Sequence, residues 1–122
     1  MNKIASSLNY KKATGLGSIP GGWNRLQKEK WNNFCRDAAS SIVTCLSGPN
    51  PEECLPSAIA KNNPADYVGP VSSITKVNAG KLRVKIEVAL DNAGFESHES
   101  SYYGDFLKVE ILKKFSIKVK KD

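Results

Sequence analysis

The spacing of the apolar residues changes along this chain and limits the folds that it can adopt. Between Trp23 and Leu46, apolar side chains recur every three or four residues with polar side chains between them. This spacing predicts one amphipathic helix of about 24 residues. Gly48 and Pro49 follow it directly, and such a pair is typical of the end of a helix.

After Pro70, apolar residues recur at every second position. Residues 71–77 and 81–90 alternate between apolar and polar side chains, and residues 78–80 separate them. This order predicts a β-hairpin whose turn places a glycine in the left-handed position. The alternation resumes over residues 106–119 after a polar linker, which predicts a long or bulged strand. The sequence therefore predicts an α+β fold, with one long N-terminal helix packed on an antiparallel sheet of about four strands.

Length and composition predict one domain over residues 1–122, since 40% of the residues are hydrophobic. Residues 1–22 are rich in glycine and predict a flexible basic arm. Residues 47–70 hold five of the six prolines and predict a Pro-rich loop or a short second helix. The apolar runs are far shorter than the roughly 20 residues that span a bilayer, so we expect neither a transmembrane segment nor a signal peptide.

The three cysteines, Cys35, Cys45 and Cys54, leave two alternatives open. An odd number without a leader favours free thiols, which predicts a cytoplasmic or virion-associated protein. The alternative is one disulfide. Cys35 and Cys45 would lie about 15 Å apart along the predicted helix, too far to bridge, so a disulfide must include Cys54.

Residues suited to catalysis are few. The single histidine, His98, lies in a polar segment with nothing nearby to orient it. Cys35 could pair with it as a nucleophile, but Cys35 falls on the apolar side of the predicted helix, where a thiol is normally a core residue. The cysteine and histidine spacing matches no zinc site. We therefore expect no enzyme activity, no catalytic, cofactor-binding or metal-binding residues, no cofactor and no small-molecule substrate.

The net charge of +6 is concentrated at the two ends of the chain. Residues 1–30 carry six basic side chains against one acid, and residues 105–122 carry six lysines against three acids. Basic ends favour an anionic partner, although they also keep a small domain in solution. As point charges on a sheet face or an arm they would contact phosphates. The candidate nucleic-acid-binding residues are Lys11, Lys12, Lys81, Arg83, Lys85, Lys118 and Lys120.

Two short segments resemble the inhibitory segments of a known family. Gly21 and Gly22 precede the predicted helix, and residues 76–80 form the sequence Lys-Val-Asn-Ala-Gly. The order resembles the cystatins, which have a glycine before a long helix and a Gln-Val-Val-Ala-Gly hairpin loop after it. The resemblance implies a helix wrapped by an antiparallel sheet and a wedge of loops that blocks papain-type cysteine proteases. The implied inhibitor-loop residues are Gly21, Gly22, Lys76, Val77, Asn78, Ala79 and Gly80.

The sequence therefore predicts two alternative functions. The first is a non-enzymatic interaction or assembly module with basic ends, such as a small virion-type or nucleic-acid-associated protein. Its partner would be another protein, a second copy of the chain or a nucleic acid, and not a membrane. The second is a cystatin-like inhibitor of papain-type proteases.

Overall fold

A computed structural model describes residues 22–121 of the chain. The predicted arm over residues 1–22, with Lys11, Lys12 and Gly21, lies outside the described residues except for Gly22. In chain order the described elements are α1 (Arg25–Leu46), α2 (Pro51–Ala60), α3 (Ala65–Val68), β1 (Ser73–Ile74), α4 (Lys76–Asn92), α5 (Ser97–Lys114) and β2 (Lys118–Val119).

The predicted antiparallel sheet of about four strands is wrong. Among residues 22–121 the only sheet is formed by β1 and β2, which pair in parallel, with Ser73 opposite Lys118 and Ile74 opposite Val119. Helices make up most of the described chain, and α4 packs against both α1 and α5. The fold is therefore a small helical bundle with a two-stranded parallel ribbon, and the cystatin-like architecture is wrong for the same reason.

The predicted N-terminal helix is confirmed as α1. It begins at Arg25 because Asn24 and Gln27 form a reciprocal capping box: Asn24 Oδ1 accepts from the Gln27 N–H at 2.9 Å, and Gln27 Oε1 accepts from the Asn24 N–H at 2.8 Å. One apolar stripe of the helix is buried, as the spacing predicts. Its apolar members are Trp31, Phe34, Cys35, Ala38, Ala39, Ile42, Cys45 and Leu46.

The predicted hairpin is wrong because residues 76–92 form α4. The alternating apolar residues are two interleaved series, each with a spacing of four. Leu82, Ile86 and Leu90 are buried, whereas Val84 and Val88 are 54% and 45% exposed. Residues four apart share one face of a helix, so this alternation supplies two separate faces of α4 rather than the one buried face of a strand.

Both ends of α4 are capped by local hydrogen bonds. Thr75 Oγ1 accepts a hydrogen bond from the Asn78 N–H at 3.1 Å and caps the first turn. At the other end Gly94 adopts a φ of +98°, which glycine tolerates because it lacks a Cβ. The N–H groups of Gly94 and Phe95 then donate to carbonyls of the last turn, in a Schellman motif. Residues 91–94, predicted to lie in a linker, are thus the end of a helix.

The strand predicted over residues 106–119 is also wrong, because most of it belongs to α5. Leu107 and Ile111 are buried against the core, one turn apart. The face of α5 that contacts α4 includes Gly104, where an added Cβ would clash with the Cγ of Glu87. The missing side chain therefore allows α4 and α5 to approach closely.

The Pro-rich segment contains α2 and α3. Pro51 occupies the first turn of α2, where a proline costs no helical hydrogen bond. A disulfide between Cys45 and Cys54, with Cα atoms 5.7 Å apart, links α2 to the end of α1. The bridge includes Cys54, as helix geometry requires, so the expectation of three free thiols is wrong; Cys35 is free and buried.

A polar cluster connects α3 to α1. The Tyr67 hydroxyl donates to Asp37 Oδ2 at 2.7 Å, and Asn62 Nδ2 donates to Ser41 Oγ at 3.0 Å. The bond from Tyr67 holds the pKa of Asp37 below its usual range. Burial, together with this hydrogen bond to Asp37, raises the pKa of Tyr67 to about 12.

Candidate functional site

An open groove of about 580 Å³ lies between α1 and α4. A second depression of about 390 Å³ shares Lys85 and Val88 with it and extends it along the two helices; we call the two together the α1/α4 groove. The first part is lined by Asn32, Cys35, Val77, Gly80, Lys81, Val84, Lys85 and Val88. The extension adds Arg36, Ala39, Ser40, Val43, Thr44, Ala89 and Asn92.

The apolar lining of the groove comes mainly from three valines of α4. Val77, Val84 and Val88 are 68%, 54% and 45% exposed. Their separations of seven and four residues place them on one stripe of the helix. Single exposed apolar residues are ordinary, but a row of them beside a groove is typical of an interaction surface.

The charged lining of the groove is entirely basic. Lys81 and Lys85 lie one turn apart on α4 on either side of Val84 in sequence, and Arg36 enters from α1. Among the described residues that line the groove there is no carboxylate. Neither lysine forms an ion pair within residues 22–121. Arg36 is paired with Asp37, its Nε lying 3.2 Å from Asp37 Oδ1. The groove therefore combines apolar contact area with the uncompensated positive charge of Lys81 and Lys85.

Cys35 lies at the floor of this groove and is only 1% exposed. Burial raises the pKa of its thiol to about 12, although Lys85 and Lys81 act in the opposite direction. The thiol is therefore protonated at neutral pH, which is the state of a core cysteine. His98, considered as its base, lies at the start of α5 with its side chain 77% exposed and its Nδ1 3.4 Å from Glu96 Oε1.

The candidate nucleic-acid-binding residues that fall within residues 22–121 do not share one face. Lys81 and Lys85 line the α1/α4 groove, but Arg83 is about 200° around the helix from Lys81 and its Nε lies 2.8 Å from Glu87 Oε2. Lys118 and Lys120 lie in and just after β2. The prediction of a single basic sheet face that joins them is wrong, because residues 76–92 form α4 and the predicted four-stranded sheet is not formed.

The candidate inhibitor-loop residues do not form a hairpin loop. Residues 76–80 are the first turn of α4. Asn78 is 7% exposed, and its backbone oxygen accepts a hydrogen bond from Trp31 Nε1 at 2.9 Å. Gly22, with a φ of +91°, precedes α1. Protease inhibition stays a prediction, but the projecting loop on which it depended is absent from residues 76–80.

The sequence analysis identified Lys81 and Lys85 as candidate binding residues, named Val77 only as part of an inhibitor loop, and did not identify Val84 and Val88 as surface residues. The missed signal is the series Val77, Val84 and Val88, whose spacing matches one face of a helix and not one face of a strand. In the predicted hairpin, Val84 and Val88 belonged to the buried face. In the structure they are the exposed lining of the groove.

Comparison with protein-family models, with curated proteins and with solved structures finds no match to this chain. Within residues 22–121 there is no group of three or more His, Cys, Asp or Glu residues that could hold a metal ion. The helices of that same part are too short or too polar to cross a membrane. The α1/α4 groove, with its exposed valines and unpaired lysines, is the feature of the described chain that is suited to binding a partner.

Proposed function

We propose that this chain is a non-enzymatic interaction module whose α1/α4 groove binds an acidic amphipathic helix of a partner protein. The observation that carries the proposal is the row of exposed valines beside Lys81 and Lys85, neither of which has an ion-pair partner in the described chain. The apolar face of a bound helix would cover the valines, as in other helix-in-groove complexes. Its carboxylates would meet the lysines and speed association.

The length of the valine stripe sets the size of the ligand. Val77 and Val88 are eleven positions apart, which corresponds to about 16 Å along a helix axis. A partner helix of about three turns would cover this distance. Its apolar residues would recur every three or four positions, with Asp or Glu on both flanks of that face. Such a segment is short enough to be reproduced by a synthetic peptide.

A nucleic acid would use the lysines but not the valines. Phosphates pair with Lys81 and Lys85 without covering apolar side chains, and a duplex backbone is polar throughout. The three valines therefore favour a peptide ligand in this groove. Nucleic-acid binding through the other basic residues, like the cytoplasmic or virion-associated location, stays a prediction.

The direct test is fluorescence anisotropy with a labelled synthetic helix that carries leucines on one face and glutamates on the others. The matched control is a peptide of the same composition in scrambled order. We expect saturable binding of the first peptide at about micromolar concentration and at least about tenfold weaker binding of the second. Replacing both lysines, in Lys81→Glu with Lys85→Glu, should weaken binding by at least about tenfold because it opposes like charges.

A pair of valine variants locates the binding surface. Val84→Asp places a carboxylate in the groove and should abolish binding at concentrations that saturate the unchanged protein. Val109→Asp places the same charge on α5, outside the groove, and should bind normally. Equal affinity for the ordered and scrambled peptides, or normal binding by Val84→Asp, would contradict the proposal. Salt-sensitive binding of duplex DNA in place of the peptide would also contradict it and would support the nucleic-acid prediction.

A further inference from the structure

A second unpartnered surface lies on α5, on the side away from the core. Its residues are separated by alternating steps of three and four, the spacing of the contact seam of a coiled coil. They cover an arc of about 80° that lies opposite the buried Leu107 and Ile111. We call this set the α5 stripe, and its members are Glu99, Tyr102, Phe106, Val109 and Lys113.

The centre of the α5 stripe is apolar and ordered. Tyr102, Phe106 and Val109 are 64%, 40% and 40% exposed. The rings of Tyr102 and Phe106 are stacked, with their centroids 6.0 Å apart and their planes inclined by 6°. Aromatic rings held in this way lose little conformational freedom when a partner covers them.

Phe106 forms a ridge between two grooves. On one side lies a groove of about 580 Å³ shared with α2, whose apolar lining includes Leu55 and Ile59. On the other side lies one of about 480 Å³ lined by Val109 and by Arg83 of α4. A surface made of a ridge and adjacent grooves can interlock with a copy of itself.

When two copies of the α5 stripe meet, opposite charges face each other only if the two helices run antiparallel. Glu99 and Lys113 lie seven residues before and seven residues after Phe106. In an antiparallel pair centred on Phe106, Glu99 faces Lys113 of the second copy at both ends. Tyr102 then lies opposite Val109 of the second copy, and the two Phe106 rings meet at the centre. A parallel pair would instead place like charges together.

We propose that two copies of this chain associate through antiparallel contact of their α5 stripes, in a two-fold symmetric dimer. A two-fold interface requires a surface complementary to itself, and the order acid, three apolar residues, base meets that requirement. Lys113 at present pairs with Glu110, at 3.6 Å within the same helix, but the Lys113 side chain is 71% exposed, so this ion pair is weak enough to be exchanged. No residue of the α5 stripe lines the α1/α4 groove, so this proposal does not depend on the proposed function.

The first test measures the mass of the full chain in solution by sedimentation equilibrium, from about 10 µM to 1 mM. We expect dimers that dissociate on dilution. Phe106→Glu buries two facing carboxylates at the centre of the contact and should leave only monomers, with an unchanged circular dichroism spectrum. The matched control is Val84→Asp, in the α1/α4 groove. This variant should dimerise as the unchanged chain does. Monomers throughout for the unchanged chain, or dimers of Phe106→Glu, would overturn the proposal.

The second test uses charge reversal, which does not disturb the apolar centre. Lys113→Glu opposes a carboxylate to Glu99 of the second copy and should raise the dimer dissociation constant at least about tenfold. Adding Glu99→Lys to that variant re-creates opposite pairs at both ends and should restore most of the affinity. A double variant as weak as Lys113→Glu would show that these two residues do not meet and would overturn the antiparallel arrangement.

Discussion

The indole Nε1 of Trp31 donates a hydrogen bond to the backbone oxygen of Asn78 at 2.9 Å, and so joins the second turn of α1 to the first turn of α4. Trp31 is fully buried and Asn78 is 7% exposed. A buried indole N–H without an acceptor would be costly, so this bond favours one register of the two helices. Because α1 and α4 form the walls of the α1/α4 groove, the same bond positions the groove.

Trp31→Phe tests this contact. The substitution removes the donor and part of a ring that packs between Trp23 and Phe34, with centroid separations of 5.4 and 4.9 Å. We expect the free energy of unfolding in urea to fall by about 1–3 kcal/mol. Tyr102→Phe, on an exposed residue, is the control and should change it by less than about 0.5 kcal/mol. An equally small change for Trp31→Phe would show that the contact does not stabilise the fold.

The sequence was sufficient to predict α1 but not α4 or α5. In α1 one apolar stripe faces one core, so its spacing is that of a simple amphipathic helix. In α4 the core residues Leu82, Ile86 and Leu90 alternate with the groove residues Val84 and Val88. Two apolar faces on one helix reproduce the alternation of a strand, and the β-branched residues strengthen that interpretation. The caps of α4 were local signals for the correct structure, but each is a common turn residue by itself.

The groove was predictable only in part. Lys81 and Lys85 were recognised because charge can be located without knowing the fold. The apolar part was not, since whether Val84 is buried or exposed depends on which elements pack against α4. The contribution of α1, through Asn32 and Arg36, required tertiary structure. Interaction sites made by two helices are in general invisible to local patterns.

Gly104 and Gly80 form a matched pair for testing helix packing. Both lie inside helices, where alanine is favoured over glycine by about 1 kcal/mol. A Cβ at Gly80 meets nothing within 4 Å, whereas one at Gly104 clashes with the Cγ of Glu87 and lies 3.2 Å from the Arg83 carbonyl oxygen. We therefore expect Gly80→Ala to raise the free energy of unfolding by about 0.5–1 kcal/mol and Gly104→Ala to lower it by about 1–3 kcal/mol. Stabilisation by both would mean that α4 and α5 are farther apart than described.

The hydrogen bond from Tyr67 to Asp37 should make stability depend on pH at both ends of the range. The pKa of Asp37 is lowered in the folded state, so its contribution is present above about pH 4 and is lost as the pH falls. The pKa of Tyr67 is raised to about 12, so its contribution is complete below about pH 10 and is lost as the pH rises toward that value. The bond therefore stabilises the fold most between these two limits.

Tyr67→Phe measures this contribution. At pH 7 the variant should have a free energy of unfolding about 0.5–1.5 kcal/mol below that of the unchanged chain. The difference should shrink below about pH 4 and again above about pH 10, because the unchanged chain then loses the bond as well. Tyr103→Phe serves as the control, because it removes a tyrosine hydroxyl that forms no hydrogen bond to a carboxylate within residues 22–121. A difference that stays constant across the whole range would rule out Asp37 as the partner of Tyr67.

The disulfide between Cys45 and Cys54 can be tested by counting thiols, without an assay of function. Denatured, unreduced protein should contain one reactive thiol, that of Cys35, and reduction should raise the count to the three cysteines of the sequence. Cys54→Ser should lower the free energy of unfolding by about 2–3 kcal/mol in oxidised protein, because the unfolded chain gains freedom. The same comparison in a thiol reductant should show little difference. Cys35→Ala is the control, since its effect should not depend on the reductant. A count of three before reduction would exclude the bridge and favour the reducing compartment that the odd number of cysteines first suggested.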